Sequence, residues 1–306
     1  MVLSPARRSG LASMAVLAAL LAAGCGSSGT ASSSHTLKVV AGQNFWGSIA
    51  AQLGGTQVSV TSIVTNPNAD PHDYESSTKD ARAFATADYV ILNGAGYDDW
   101  ASRLLSANPN PSRKVFAVAD LLNKKAGDNP HFWYNPDWVE KVADKITADY
   151  QAIDAADSSY FSQQRAAFHT ALQPYHDRIA KIRSAFAGVV VGSTENIFEY
   201  QATALGLNLI SPPAFMKAVA EGNDPPAQTV AEFHELIAGK KIKVLVYNLQ
   251  TSTNITEELK RQATNNGIPV VGVSETLQPV DATFQGWQDA QLLTLQNALN
   301  AEALTH

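Results

Sequence analysis

The chain has 306 residues, a formal net charge of −6 at pH 7 and a single cysteine. An acidic chain of this kind does not favour nucleic acid as a partner, because the phosphate backbone attracts basic surfaces. One cysteine excludes disulfides within the chain and a metal site built from several thiolates.

The first 24 residues have the composition of a targeting segment. Arg7 and Arg8 precede an apolar run over residues 11–23, which is too short to span a membrane and is typical of a signal-peptide core. Small residues then lead to Cys25, as at sites where a lipid is attached to the thiol and the chain is cut before it. The alternative is a plain secretory signal with an incidental cysteine.

We therefore predict a signal peptide over residues 1–24 and a lipidated, flexible tether over residues 25–35. The tether is dominated by Ser and Gly, and such a composition cannot bury a core. The rest of the protein is then expected outside the cytoplasmic membrane and close to it, held by the lipid on Cys25.

Short β-branched runs separated by helix-length segments continue after the tether. This alternation predicts parallel sheets built from strand–helix–strand units. The runs fall into two sets, so we predict an α/β fold of two lobes, each a roughly four-stranded parallel sheet flanked by helices. The predicted strands lie at residues 37–40, 58–64, 89–92 and 115–118 in the first lobe, and at residues 189–191, 207–210, 244–247 and 270–273 in the second.

A long amphipathic helix is predicted between the two sets of strands. Apolar residues recur there at steps of three, four or seven, which places them on one face of a helix. We expect the helix to cover residues 158–186 and to join an N-terminal lobe (36–157) to a C-terminal lobe (187–306). At about 40 Å it makes a stiff connection. The apolar stripe consists of Phe161, Phe168, Leu172, Tyr175, Ile179, Ile182 and Phe186.

Two histidines stand in similar short frames on predicted loops. His72 follows a proline in the sequence Asp-Pro-His-Asp-Tyr-Glu (residues 70–75), and His131 follows a proline in Pro-His-Phe-Trp-Tyr-Asn-Pro (residues 130–136). Proline restricts its own φ and the residue before it, so each turn presents an imidazole on a restrained backbone. The pair indicates two ligands that converge on one metal ion.

Both motifs resemble those of the zinc- and manganese-binding solute receptors of bacterial ABC importers, and the resemblance covers nearly the whole chain after the tether. Residues 70–75 resemble the motif Asp-Pro-His-x-Tyr-Glu, and residues 130–136 resemble Pro-His-x-Trp-x-Asp-Pro with Asn135 in place of the aspartate. The resemblance implies His72 and His131 as metal ligands. It also implies two α/β lobes joined by one long helix, with the metal in the cleft between them.

The same resemblance implies two acidic ligands from the second lobe. Glu195 begins a predicted helix where the family has histidine or glutamate, and Glu275 follows the last strand where the family has aspartate. Taken alone, Glu195 is equally well explained as a carboxylate in the first turn of a helix, and Glu275 as an ordinary loop residue. All four proposed ligands follow strands, at the edge where α/β sheets bind ligands. Candidates for supporting roles are Asp70, Asn135, Glu199 and Asp281.

Two imidazoles and two carboxylates suit Zn²⁺, Mn²⁺ or Fe²⁺, and the resemblance favours Zn²⁺ or Mn²⁺. Zn²⁺ accepts four such ligands as a tetrahedron, whereas two bidentate glutamates would raise the coordination number to six and suit Mn²⁺. The segment 123–129 is short and has no histidine, unlike the histidine-rich loop of many zinc members of the family. Intrinsic affinity favours Zn²⁺ over Mn²⁺ at most N/O sites, so both metals stay open.

The function implied by the resemblance is a bacterial lipoprotein on the extracytoplasmic face of the cell membrane. It would capture Zn²⁺ or Mn²⁺ and deliver the metal to an ABC permease and its ATPase, as a monomer and without catalysis. The alternatives are a secreted metallohydrolase and a metal-binding surface adhesin. A hydrolase motif of the type His-Glu-x-x-His is absent, because His234-Glu235 lacks its partner histidine. The sequence has no repeat or stalk to support an adhesin.

Overall fold

The structure, a computed structural model, describes residues 36–303. The predicted signal peptide, the lipidation site at Cys25 and the tether lie outside the described residues. Among residues 36–303, no helix combines the length and the apolar character needed to cross a membrane.

The first part of the described chain forms a parallel sheet flanked by helices. Its elements are β1 (Leu37–Gln43), α1 (Asn44–Gly54), β2 (Val58–Val64), α2 (Thr78–Thr86), β3 (Tyr89–Leu92), α3 (Asp99–Ala107), β4 (Lys114–Ala117), α4 (Val118–Leu121) and α5 (Pro136–Ile153). The strand order is β2-β1-β3-β4, and every pairing is parallel. Apolar clusters cover both faces of the sheet, as expected for parallel strands.

The last part of the chain repeats this plan. Its elements are β5 (Val190–Ser193), α7 (Glu199–Leu205), β6 (Asn208–Leu209), α8 (Pro213–Ala220), α9 (Ala227–Ala238), β7 (Leu245–Asn248), α10 (Asn254–Asn265), β8 (Val270–Val273) and α11 (Phe284–Ala303), after a central helix α6 (Ser158–Phe186). The strand order β6-β5-β7-β8 corresponds to that of the first sheet. The predicted α/β class, with two four-stranded parallel sheets and one long helix, is confirmed.

Helix α6 buries the whole apolar stripe that the sequence predicts. Helix α6 packs against α1 and α5 of the first half and against α7 and α11 of the second. One hydrophobic cluster therefore runs from β1 through α6 to α11. Pro174 lies inside the helix without ending it. The two sheets share a core through this helix, which leaves little freedom for large movements between them.

The sixth strand is shorter than predicted. The sequence suggested residues 207–210, but β6 contains only Asn208 and Leu209, which pair with Val190 and Val191. The strand lies at the edge of its sheet, and Pro212 follows closely. Proline cannot donate to a strand ladder, so the chain turns directly into α8.

Candidate metal centre

Four side chains from both sheets meet at one point. His72, His131, Glu195 and Glu275 each offer one ligand atom, and these atoms all lie within 4.8 Å of one another. The side chains of His131, Glu195 and Glu275 are completely buried, whereas that of His72 is 20% exposed. The structure thus brings together the four residues that the sequence singled out.

A short turn positions His72. The chain leaves β2 and forms a single 3₁₀ turn over Pro71–Asp73, with Pro71 at its first position, where proline fits best. Asp70 caps the turn, because its Oδ1 accepts a hydrogen bond of 2.8 Å from the backbone N–H of His72. Asp70 therefore supports the site by fixing the backbone of the histidine.

His131 is oriented by Asn129, which the sequence did not suggest. His131 Nδ1 lies 2.8 Å from Asn129 Oδ1, and the amide nitrogen of Asn129 donates to Glu199 Oε2 at 2.8 Å. Since Asn129 Oδ1 only accepts, Nδ1 of the imidazole carries the proton and Nε2 is left free for a ligand. Glu199 contributes indirectly, by holding Asn129.

Asn135 and Asp281, two of the predicted supporting residues, lie elsewhere. Asn135 Oδ1 accepts from the backbone N–H groups of Asp137 and Trp138, so Asn135 is the N-cap of α5. Asp281 is exposed in the loop before α11 and lines a shallow surface depression with Ser48. Among the described residues, neither side chain has a hydrogen bond to any of the four clustered residues.

Glu195 and Glu275 follow β5 and β8, which flank β7 in the sheet. Glu195 Oε1 lies 3.2 Å from His131 Nε2, and Glu275 Oε2 lies 3.3 Å from His72 Nε2. The other oxygen of each carboxylate accepts a hydrogen bond from the side-chain amide of Asn248, at the end of β7. Each glutamate therefore directs one oxygen towards the imidazoles.

Tyr97 closes the site from the first sheet. Its hydroxyl donates to Glu275 Oε2 at 2.6 Å, and its ring packs edge-on against His72 at a centroid distance of 4.6 Å. The loop before it needs positive φ at Gly94 and Gly96, and Asp98 accepts from the backbone N–H of Gly94 at 2.8 Å. This loop geometry carries the tyrosine hydroxyl across to the second sheet.

Three of the converging atoms lack other partners. Among the described residues, His72 Nε2, His131 Nε2 and Glu195 Oε1 are buried without a hydrogen-bond partner. Buried polar atoms without partners are rare and costly, unless a bound group satisfies them. Two nitrogen and two oxygen donors at these positions fit a divalent transition metal.

The charges of the cluster shift its pKa values strongly. Burial alone lowers the pKa of His72, but the carboxylate of Glu275 outweighs this effect and raises that pKa to about 9. Burial and the nearby Glu275 raise the pKa of Glu195. Burial opposes ionisation of Glu275, yet the charges of His72 and His131 hold its pKa well below the usual range. In the absence of metal, a proton on His72 offsets part of the buried negative charge.

Contacts between the two halves hold the cleft shut. Gln250 Nε2 donates to the backbone oxygen of Ala69 at 2.7 Å, and the Tyr134 hydroxyl donates to the backbone oxygen of Ser274 at 2.8 Å. A cavity of about 320 Å³ remains outside the cluster, and His72 is the member that lines it. The cluster is therefore reached from the His72 side.

The protein has two α/β halves, and imidazoles from one half meet carboxylates from the other between the two sheets. This arrangement places it in the class of two-lobe, cleft-type binding proteins. The chain matches the family "Zinc-uptake complex component A periplasmic" over residues 39–298. It belongs to that family.

Similar proteins include two bacterial lipoproteins. The chain is 28% identical over 201 residues to the manganese-binding lipoprotein MntA of Halalkalibacterium halodurans. This match covers 63% of this chain and 66% of that protein. It is 27% identical over 240 residues to the manganese ABC transporter substrate-binding lipoprotein PsaA of Streptococcus pneumoniae. This match covers 72% of this chain and 74% of that protein.

A solved structure with the same fold is that of a metal-free variant of a periplasmic metal-binding protein from Candidatus Liberibacter asiaticus. The TM-score is 0.72 at 16% sequence identity, with 85% of this chain and 98% of the other covered. At this identity the likeness establishes the fold.

Proposed function

We propose that this protein is a receptor that captures Zn²⁺ or Mn²⁺ in its cleft and delivers the metal to an ABC importer. His72 and His131 would bind through Nε2, Glu195 through Oε1 and Glu275 through Oε2. The observation that carries the proposal is the approach of these four ligand atoms to within 4.8 Å of one another in a buried site.

The charge of the site supports a divalent cation. Two buried carboxylates carry two negative charges, and an M²⁺ ion balances them when both imidazoles are neutral. Burial of unbalanced charge is costly, so the ion replaces the proton that His72 holds in its absence. The site is thus neutral overall when loaded.

In this proposal residues 36–157 and 187–306 act as two lobes joined by the helix of residues 158–186. His72 and His131 come from the first lobe, and Glu195 and Glu275 from the second. The metal then cross-links the lobes and stabilises the closed form by its greater affinity for that form. The core shared through α6 restricts the movement to small adjustments.

One relative is named as a manganese ABC transporter substrate-binding lipoprotein and another as a manganese-binding lipoprotein, and we extend the transport role to the present chain. Its partners would be an ABC permease and its ATPase, with a lipid on Cys25 holding a monomer on the extracytoplasmic face of the membrane. Binding is favoured over hydrolysis, because four protein ligands leave no open position for water on a tetrahedral metal.

Calorimetric titration of the metal-free protein with Zn²⁺ and with Mn²⁺ tests the proposal. We expect one ion per chain and a loss of affinity of at least about 100-fold in His131→Ala, since loss of a ligand costs more than loss of a supporting residue. His169→Ala is the matched control, because that histidine is 62% exposed on α6 and contacts Glu140 instead. Unchanged binding in His131→Ala would refute the assignment.

Delivery needs a separate experiment. Loaded protein should stimulate ATP hydrolysis by its permease–ATPase complex in lipid vesicles, and the His131→Ala variant should stimulate it less at the same metal concentration. Turnover of ester or peptide substrates by the loaded protein, without such stimulation, would favour the hydrolase instead.

A further inference from the structure

A side-chain amide lies between the two glutamates of the metal centre. Asn248 is completely buried at the carboxyl end of β7. The strands β5 and β8 flank β7 in the sheet. Glu195 comes two residues after the end of β5, and Glu275 comes two residues after the end of β8. The sheet therefore places both carboxylates on either side of the same amide.

The amide holds one oxygen of each carboxylate. Asn248 Nδ2 donates to Glu195 Oε2, and it donates to Glu275 Oε1 at 2.8 Å. Thr251 adds a second donor to Glu195 Oε2, at 2.8 Å. The oxygens that face the histidines are Glu195 Oε1 and Glu275 Oε2, and Glu275 Oε2 also accepts from the Tyr97 hydroxyl.

The orientation of the amide is fixed by its other end. Asn248 Oδ1 accepts a hydrogen bond of 3.0 Å from the backbone N–H of Gln250. An N–H group donates only to the oxygen of an amide, so the NH₂ group must face the glutamates. If the amide were flipped, its oxygen would face the glutamates and the hydrogen bond from Gln250 would be lost.

We propose that Asn248 is a positioning residue that sets the metal preference of the site. By holding one oxygen of each glutamate, it keeps both carboxylates monodentate and limits the protein to four donors. Four N/O donors satisfy Zn²⁺ as a tetrahedron, whereas Mn²⁺ favours six, mostly oxygen, ligands. Asn248 thus favours Zn²⁺-type ions over Mn²⁺. This inference rests on the proposed metal-binding function.

The burial of the site strengthens the restraint. Glu195 and Glu275 are completely buried, and the Tyr97 hydroxyl donates to Glu275 Oε2 at 2.6 Å. Rotation of either carboxylate into a bidentate position would leave one N–H of Asn248 without an acceptor. A buried donor without a partner costs about 1–3 kcal/mol.

Asn248→Ala removes the restraint, and Gln288→Ala is its matched control. Gln288 is another completely buried amide of the C-terminal half, and it pairs with Gln201 away from the glutamates. The measured quantity is the ratio of the Kd for Mn²⁺ to the Kd for Zn²⁺. We expect this ratio to fall by about tenfold or more in Asn248→Ala, within the usual range for residues that support ligands, and to stay unchanged in the control.

Spectroscopy counts the ligands directly. The wild-type protein loaded with Co²⁺ should give the intense visible absorption of a four-coordinate ion, and X-ray absorption at the zinc edge should give four N/O neighbours. In Asn248→Ala the Co²⁺ absorption should weaken and the number of neighbours should rise. Asn248→Ser, which can donate to one carboxylate only, should give intermediate values.

The outcomes separate this inference from the proposed function. If the wild-type protein binds neither metal, the proposed function fails. If it binds metal with five or six ligands, or if its preference is unchanged in a folded Asn248 variant, only the role of Asn248 fails. A five- or six-coordinate ion in the wild-type protein contradicts the restraint even if both variants fail to fold.

Discussion

His131 Nε2 and Glu195 Oε1 lie 3.2 Å apart, and both side chains are completely buried. Each of these atoms lacks a hydrogen-bond partner among the described residues. A histidine from the first sheet and a glutamate from the second are thus held together across the cleft with unsatisfied atoms. This relationship makes the site sensitive to the residues that orient its members.

Asn129→Ala should weaken Zn²⁺ binding by about 10–100-fold, because it removes the acceptor that orients His131. The matched control is Asn135→Ala, which removes the N-cap of α5. We expect the control to lower the free energy of unfolding by about 1 kcal/mol and to leave affinity nearly unchanged. Calorimetry and urea unfolding of both variants check this contrast, and equal affinities in the two would contradict it.

Stability and metal affinity should respond to pH in opposite directions. The pKa of His72 is raised from 6.5 to about 9 in the folded, metal-free protein. The folded state therefore holds a proton that the unfolded state loses, and this stabilisation is full below pH 6.5 and is lost as the pH rises through 9. Metal must displace the same proton, so affinity should rise over that interval.

Urea unfolding and Zn²⁺ titration at several pH values between 6.5 and 9 measure both trends. His72→Gln should flatten the two curves, because no imidazole then titrates at that position. A wild-type protein whose metal-free stability increases with pH over this range would show that the charge of Glu275 does not act on His72.

Gln250→Ala should shift the metal-free protein towards an open form. Gln250 Nε2 donates to the backbone oxygen of Ala69, and its Oε1 accepts from the backbone N–H groups of Glu275 and Thr276. Its loss weakens the attachment of the segment before His72 to the C-terminal half and leaves the hydrogen bond from Gln278 Nε2 to the backbone oxygen of Pro67. Small-angle X-ray scattering should show a larger radius of gyration without metal and a near-normal one with Zn²⁺. No difference between the two states would refute this role.

Leu172→Ala should reduce the free energy of unfolding by about 2–5 kcal/mol, because the side chain is completely buried in the core that the two sheets share. Thr170→Ala, at an exposed position of the same helix, should cost far less. Chemical denaturation followed by circular dichroism should give one transition in both variants. Two separated transitions would mean that the halves unfold independently.

Much of the architecture is predictable because its signals are local. The β-branched runs and the stripe on residues 158–186 follow from periodicity within short windows. His72 and His131 stand out because each follows a proline on a turn. Glu195 and Glu275 required the family resemblance, since a carboxylate after a strand is common without a ligand.

The supporting residues depend on contacts that sequence patterns do not contain. Tyr97 reaches Glu275 across 178 positions of the chain. Asn135 occupies the family's aspartate position, yet its side chain caps a helix, and Asn129 holds His131 instead. One signal was present for Asn248, because a polar residue directly follows the predicted strand 244–247, at the edge where such sheets bind ligands.

The uneven exposure of the four ligands implies an order of events for unloading. Three of them are sealed, while His72 stands at the cavity on a turn of three residues. We expect an ion to lose its bond to His72 first, with water entering from that side and the remaining three bonds exchanging afterwards. In the proposed delivery, a transporter would need to displace one short turn, and the shared core of the two halves could stay intact throughout.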